Sequence, residues 1–223
     1  MTFDATKTKA LLFDLDGTLI DSTEDIAASA NMLRRSQGLE PLPVSVVASY
    51  IGDGVEALVR KLLGPGFEEK IPALVDQFKA HYNEHCVVAT RLYDGVGATL
   101  SLLASRGYKM AVVTNKPERI SVTILEKLGL GGCFGCVIGG NSVANKKPHP
   151  QPLQEACARL GVPLSQACMI GDSRVDIEAG RNAGIPSLGI LGGIGDEGLM
   201  RQAGPAEILG RFGELDGIFK GAA

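Results

Sequence analysis

A chain of 223 residues with 45% hydrophobic and 21% charged residues can bury a full core and has the make-up of an ordinary globular protein. A formal net charge of −3, no tryptophan and 5% aromatic residues argue against a general nucleic-acid binder, which shows a basic face, and leave no stacking platform for single strands. Five cysteines, an odd number, fit reduced thiols better than a disulfide framework. The polar start Met1–Lys9 and the lack of any apolar window of about 18 residues give a cytoplasmic protein with no membrane segment as the expectation.

In chain order, short apolar runs alternate with helical patterns. Expected strands are Ala10–Phe13, Lys109–Val113, Cys136–Ile138, Ala167–Ile170 and Ser187–Ile190, each nearly free of charge as in strands buried on both faces. Expected helices are Val96–Ser105, Pro117–Leu128, Pro150–Leu160 and Ser173–Ala183. Prolines fit the first turns of the second and third, and Gly107, Gly129, Gly161 and Gly184 stand where a helix C-terminus takes glycine. The rhythm predicts a Rossmann-like α/β fold, a parallel sheet with helices on both faces. It breaks once. After the first strand the chain runs to residue 91 with helical patterns only, at Asp21–Gln37, Val55–Leu63 and Ile71–His85. The expected division is an α/β core of residues 1–17 and 92–223 and an inserted all-helical cap of residues 18–91.

Four polar clusters follow strand candidates: Asp14-Leu15-Asp16, Thr114-Asn115, Lys146-Lys147-Pro148, and Gly171-Asp172-Ser173 with Asp176 one turn later. In an open parallel sheet the carboxyl ends of the strands share one edge, so clusters far apart in sequence can meet there. Asp14 and Asp16, two apart, would point to one side if the strand continued, and two such like charges call for a cation or a raised pKa. Gly17-Thr18 offers a tight turn whose N–H groups could meet an anion. Hard oxygen donors suit Mg²⁺, and a carboxylate nucleophile with a lysine nearby suits phosphoryl transfer.

These four clusters, in this order and over essentially the whole chain, resemble the motifs of the haloacid dehalogenase-like hydrolases. The resemblance implies Asp14 as nucleophile and Asp16 as general acid and later general base. It implies Thr114 and Asn115, with Gly17 and Thr18, as phosphate ligands and Lys147 as the residue that orients and neutralises the phosphoryl group. Mg²⁺ would be held by Asp14, the Asp16 backbone carbonyl and Asp172, with Asp176 in support. An acid at position 16 favours phosphoester hydrolysis over dehalogenation, because an alkoxide leaving group needs a proton. Asn145–Pro150 and the loop Tyr50-Ile51-Gly52-Asp53-Gly54 are most similar to bacterial phosphoglycolate phosphatases. The departures are Asn141, where Gly-Gly-Asp is usual, and Asp94, where proline often precedes Gly95. The implied reaction is a Mg²⁺-dependent hydrolysis of 2-phosphoglycolate by a monomer or homodimer, with Arg60 and Lys61 as candidate cap cations.

Other readings compete. A phosphatase of sugar phosphates, nucleotides or pyrophosphate, or a phosphosugar mutase, would share the motifs, and a signalling receiver domain would share the aspartate, threonine, lysine and Mg²⁺. Gly193-Ile194-Gly195-Asp196-Glu197-Gly198 mimics a dinucleotide fingerprint, but only 25 residues, 199 to 223, follow it. Cys133 and Cys136 with His81 and His85 make a weak zinc pattern. Asp176 alone could simply cap the Ser173 helix, and Lys146 reads as a solvated loop lysine.

Overall fold

The structure is a computed structural model that describes residues 3–221. The chain enters strand β1 (Ala10–Phe13), turns through the short strand β2 (Ile20–Asp21), and continues into helices α1 (Thr23–Ser36), α2 (Val44–Ala48), α3 (Val55–Leu63) and α4 (Ile71–His85). It leaves them through β3 (Arg91–Leu92) and then alternates α5 (Val96–Ser105), β4 (Lys109–Val113), α6 (Glu118–Lys127), β5 (Cys136–Ile138), α7 (Gln151–Leu160), β6 (Ala167–Gly171), α8 (Arg174–Ala183) and β7 (Ser187–Ile190). A last helix α9 (Glu197–Gln202), strand β8 (Glu207–Leu209) and the short α10 (Leu215–Ile218) complete the fold.

The main sheet has six strands in the order β5-β4-β1-β6-β7-β8, all parallel. Every residue of β1 is fully buried, and alternate side chains feed two layers. Leu11 and Phe13 pack with Leu100 and Leu103 of α5 and Ile124 of α6, whereas Ala10 and Leu12 pack with Leu153 and Leu160 of α7. The expected parallel α/β sheet, covered by helices on both faces, is the observed one. The strand β8 was not anticipated, because Glu207-Ile208-Leu209 is short, begins with a charge and lies at the sheet edge.

Helices α1 to α4 add no strand to this sheet. They pack on one another, α1 against α2, α3 and α4, around Ile26, Ala30, Leu33, Leu58, Leu62 and Phe78. The chain enters and leaves them side by side, because β2 and β3 pair antiparallel through Ile20–Leu92 and Asp21–Arg91. Helix α2 was not anticipated: five residues between Pro43 and Ser49 offer one buried side chain, Val47, too little for a periodic signal. Among the described residues no helix is long and apolar enough to cross a membrane.

One buried carboxylate holds the return joint. Asp25 of α1, 4% exposed, accepts hydrogen bonds from the backbone N–H groups of Val88, Ala89 and Thr90 at 2.8–3.1 Å and from the Thr90 hydroxyl at 2.7 Å. Burial raises its pKa, but the hydroxyl and the three N–H groups outweigh burial and hold it below the ordinary carboxylate value. Replacing Asp25 by alanine strands these donors and should cost about 2–4 kcal/mol in denaturant unfolding, with Asp25→Asn intermediate. Because the native pKa is depressed, the stability that Asp25 contributes is present above about pH 4 and fades as the pH falls through the native value. A wild-type-like stability of Asp25→Ala at neutral pH would remove the network from its assigned role.

Candidate active site

The carboxyl ends of β4, β1 and β6, the three central neighbours, deliver the reactive groups. The ladders align Phe13 with Val112 on one side and with Ile170 on the other, so Asp14, Thr114 and Asp172 emerge at nearly one level. Beyond Phe13 the chain folds over at once: the Leu15 carbonyl accepts the N–H groups of Thr18, Leu19 and Ile20, and the Gly17 N–H donates to the Ile20 carbonyl at 2.9 Å.

Asp14, Asp172 and Asp176 bring carboxylate oxygens within 4.8 Å of one another, the only such acidic group among the described residues. The Lys147 ammonium sits against them, 2.9 Å from Asp14 and 2.6 Å from Asp176. Exposure is low throughout: 14% for the Asp14 side chain, 2% for that of Lys147, and none for that of Asp176. Three carboxylates against one ammonium leave two negative charges without a counter-ion. Burial, then repulsion from Asp176, pushes Asp14 up to about 7, with the Lys147 charge opposing, and the same two causes push Asp172 up to about 6. Clustered hard oxygens with an excess of two negative charges fit a divalent cation.

Several expected roles change in the structure. The Gly17 and Thr18 N–H groups are spent inside the turn, so they are not anion donors; instead the Thr18 hydroxyl donates to Asp172 at 2.9 Å. Gly17 has φ +91°, and a Cβ there would lie 2.1 Å from Asp172 Oδ2, so glycine is required for both conformation and room. The Asn115 side chain gives its amide to the carbonyls of Gly52 and Lys147, both at 3.0 Å, so it ties two loops together and is not free for phosphate. The backbone N–H groups of Leu15, Asp16 and Asn115, by contrast, find no acceptor among the described residues and flank Asp14 and Thr114. The Asp16 carboxylate stands outside the acidic cluster. It takes two hydrogen bonds from Lys116, at 2.7 and 2.9 Å, and one from the Ser22 hydroxyl at 2.5 Å, while Asp176 occupies the place in the cluster. Asp176 also closes a capping box with Ser173, the helix-capping reading, while lying in the acidic cluster. Arg60 and Lys61 are exposed and paired with Glu56 and Asp53, and Lys146 is not idle, since it donates to the Asp53 carbonyl at 3.0 Å.

Two features went unread in the sequence. Lys116, 8% exposed, is the second buried cation, and the signal was arithmetic: two aspartates at 14 and 16 with only one lysine assigned to them. The glycine pattern after β7 serves the site too. Ile194 and Gly195 donate backbone N–H groups to Asp172 Oδ2 at 2.9 and 2.8 Å, and a Cβ at Gly193 would meet the Gly17 carbonyl at 2.3 Å. Asn141, the departure noted above, accepts the Glu118 N–H at 2.8 Å and so caps α6 from outside.

A cleft of about 250 Å³ opens over this edge, between the sheet and the helices α1, α3 and α4. Asp14, Asp16, Thr114 and Lys116 line its floor, and Ile51, Val55 of α3, and Phe78 and Tyr82 of α4 line the opposite side.

The family model for haloacid dehalogenase-like hydrolases matches residues 11–190. The chain belongs to the haloacid dehalogenase-like hydrolases. Among its relatives in this family, a protein of Neisseria meningitidis named phosphoglycolate phosphatase is 39% identical over 215 residues, covering 93% of this chain and 92% of that one. A protein of Aquifex aeolicus with the same name is 43% identical over 176 residues, 79% of this chain and 81% of its own. A solved structure of a predicted phosphoglycolate phosphatase from Haemophilus somnus superposes with a TM-score of 0.89 at 32% identity, over 96% of this chain and 98% of that one.

Because Gly17 fails two tests at once, Gly17→Ala should cost about 2–4 kcal/mol and displace Asp172 from Thr18. Thermal unfolding would report it; a variant with an unchanged melting temperature would refute the close packing described.

Proposed function

We propose that this hydrolase is a Mg²⁺-dependent phosphomonoesterase that converts 2-phosphoglycolate and water to glycolate and phosphate. The observation that carries the reading is the meeting of Asp14 with Lys147 and Asp172, the last 158 residues away in sequence, beside a cleft that Asp14 and Thr114 line. The names of the relatives that span nearly the whole chain support the substrate.

In this reading an Asp14 oxygen attacks phosphorus while Asp16 gives its proton to the departing ester oxygen, forming glycolate and an aspartyl-phosphate. Asp16 then takes a proton from water, the water attacks the aspartyl-phosphate, and Asp14 is regenerated with release of phosphate. Lys147, fixed by Asp176 below it, holds positive charge next to the transferring group, and the N–H groups of Leu15, Asp16 and Asn115 are the donors available to its oxygens. Mg²⁺, held by Asp14, Asp172 and the Asp16 carbonyl with Asp176 in support, would supply the remaining neutralisation of the phosphoryl charge. Residues 18–91 act as the cap over a core of 1–17 and 92–223, shielding the reaction from bulk water.

Asp14→Asn should lower phosphate release at least about 10³-fold while its thermal stability holds or rises, since one buried repulsion is gone. Near-normal turnover would refute the nucleophile. The acidic cluster sets a second test. The native pKa values of Asp14 and Asp172 lie above the ordinary value near 4, so the cation-free protein loses stability as the pH rises from about 4 to about 7. Mg²⁺ competes with these protons, so the increase in melting temperature on adding it should be larger at pH 8 than at pH 5.5. An equal increase at both would detach the cation from this cluster.

A further inference from the structure

The cleft holds more than phosphoryl transfer requires. Lys116 of the core and Tyr82 of α4 face each other in its wall, with the Lys116 Nζ 4.8 Å from the centre of the Tyr82 ring. The ammonium has given two hydrogen bonds to Asp16 and has a third hydrogen to give. Tyr82 is 4% exposed, and its hydroxyl, sealed from solvent, has no hydrogen-bond partner. Lys116 stands over the face of the ring. Buried polar groups are nearly always satisfied, so an orphaned phenol in the wall of a cleft marks the place of a missing acceptor. Burial pushes the phenol up to about 12, which keeps it a neutral donor.

We propose that Lys116 and Tyr82 form the subsite for the non-transferred anionic group of the substrate, a carboxylate borne on the carbon next to the ester oxygen. This rests on the phosphatase reading above and adds the residues that select the substrate. An ammonium and a phenol are both donors, and a carboxylate offers one oxygen to each. The tether must be short. Lys116 is bonded to Asp16, the acid that serves the ester oxygen, so an anion on Lys116 lies beside the reacting bond. Farther out the wall is apolar at Ile51, Val55, Leu58 and Phe78, and the other cations lining the cleft, Lys79 paired with Asp76 and the exposed Arg119, are not bonded to Asp16 as the buried Lys116 is. The cations on α3 cannot substitute, since Arg60 and Lys61 are solvated and paired elsewhere.

The test compares kcat/KM for 2-phosphoglycolate and for ethyl phosphate, its counterpart with a methyl group in place of the carboxylate, in the wild type, Tyr82→Phe, Lys116→Met and Lys116→Arg. The preference for the carboxylate ester should fall roughly tenfold in Tyr82→Phe and roughly hundredfold in Lys116→Met, mainly through KM, with partial recovery in Lys116→Arg. Glycolate should inhibit ethyl phosphate hydrolysis by the wild type and lose that effect in Lys116→Met. Tyr82→Phe removes a single oxygen and keeps the packing, so the test survives if the lysine variants fail to fold. Equal losses on both esters, or a wild type with no preference, would overturn the subsite and leave the phosphatase standing. A wild type that releases phosphate from neither ester would overturn both.

Discussion

The confinement of charge at the end of β1 is the constraint on which the rest of the molecule depends. Asp14, Asp172 and Asp176 share a space that admits little water, with Lys147 as their one direct counter-charge. Such a cluster persists only where the surroundings over-determine it. Here β1, buried on both faces between β4 and β6, fixes the position of Asp14, while Thr18, Ile194 and Gly195 surround Asp172 with hydrogen bonds. Ser173 and Lys147 do the same for Asp176. The apolar core is the source of the stability, and the cluster is where part of it is given up.

The elements most legible in the sequence are those whose signal is local. Ala10–Phe13, Lys109–Val113, Cys136–Ile138 and Ser187–Ile190 stand in the structure with the bounds read from their runs; β1 and β7 are buried along their whole length, β4 all but its first residue, and β5 is a half-buried edge. Val55–Leu63 and Ile71–His85 likewise match their helical patterns. The elements that escaped depend on partners remote in sequence. Strands β2 and β3 have two residues each and exist only as a pair, and β8 forms because β7 offers it an edge.

The same division runs through the site. The convergence of positions 14, 114, 147 and 172 was readable because the carboxyl ends of parallel strands share one edge. Hydrogen-bond partners were not, since they depend on geometry that spacing does not encode. The Gly17-Thr18 turn reads as an anion cradle until the Leu15 and Ile20 carbonyls claim its N–H groups. Asn115 reads as a phosphate ligand until its amide is found bridging Gly52 and Lys147. The glycines at 193 and 195 carry the right message, close approach of backbone to an anion, but the anion is Asp172 and not a dinucleotide.

The two sides of the cleft are joined in two different ways, and the difference bears on how the site works. At the joint, Asp25 gathers three N–H groups and a hydroxyl in a buried knot, and Ile20–Asp21 pairs with Arg91–Leu92. Across the cleft mouth the direct bonds are of another kind: Asn115 to the Gly52 carbonyl and Lys146 to the Asp53 carbonyl, in a loop where water can replace either partner. Lys116 and Tyr82 belong to opposite sides and meet only as an ammonium over a ring face. An ester seated between them would bond to both, adding to the mouth what the joint already has, so the contacts that hold the two sides together and the contacts that hold the substrate become the same ones.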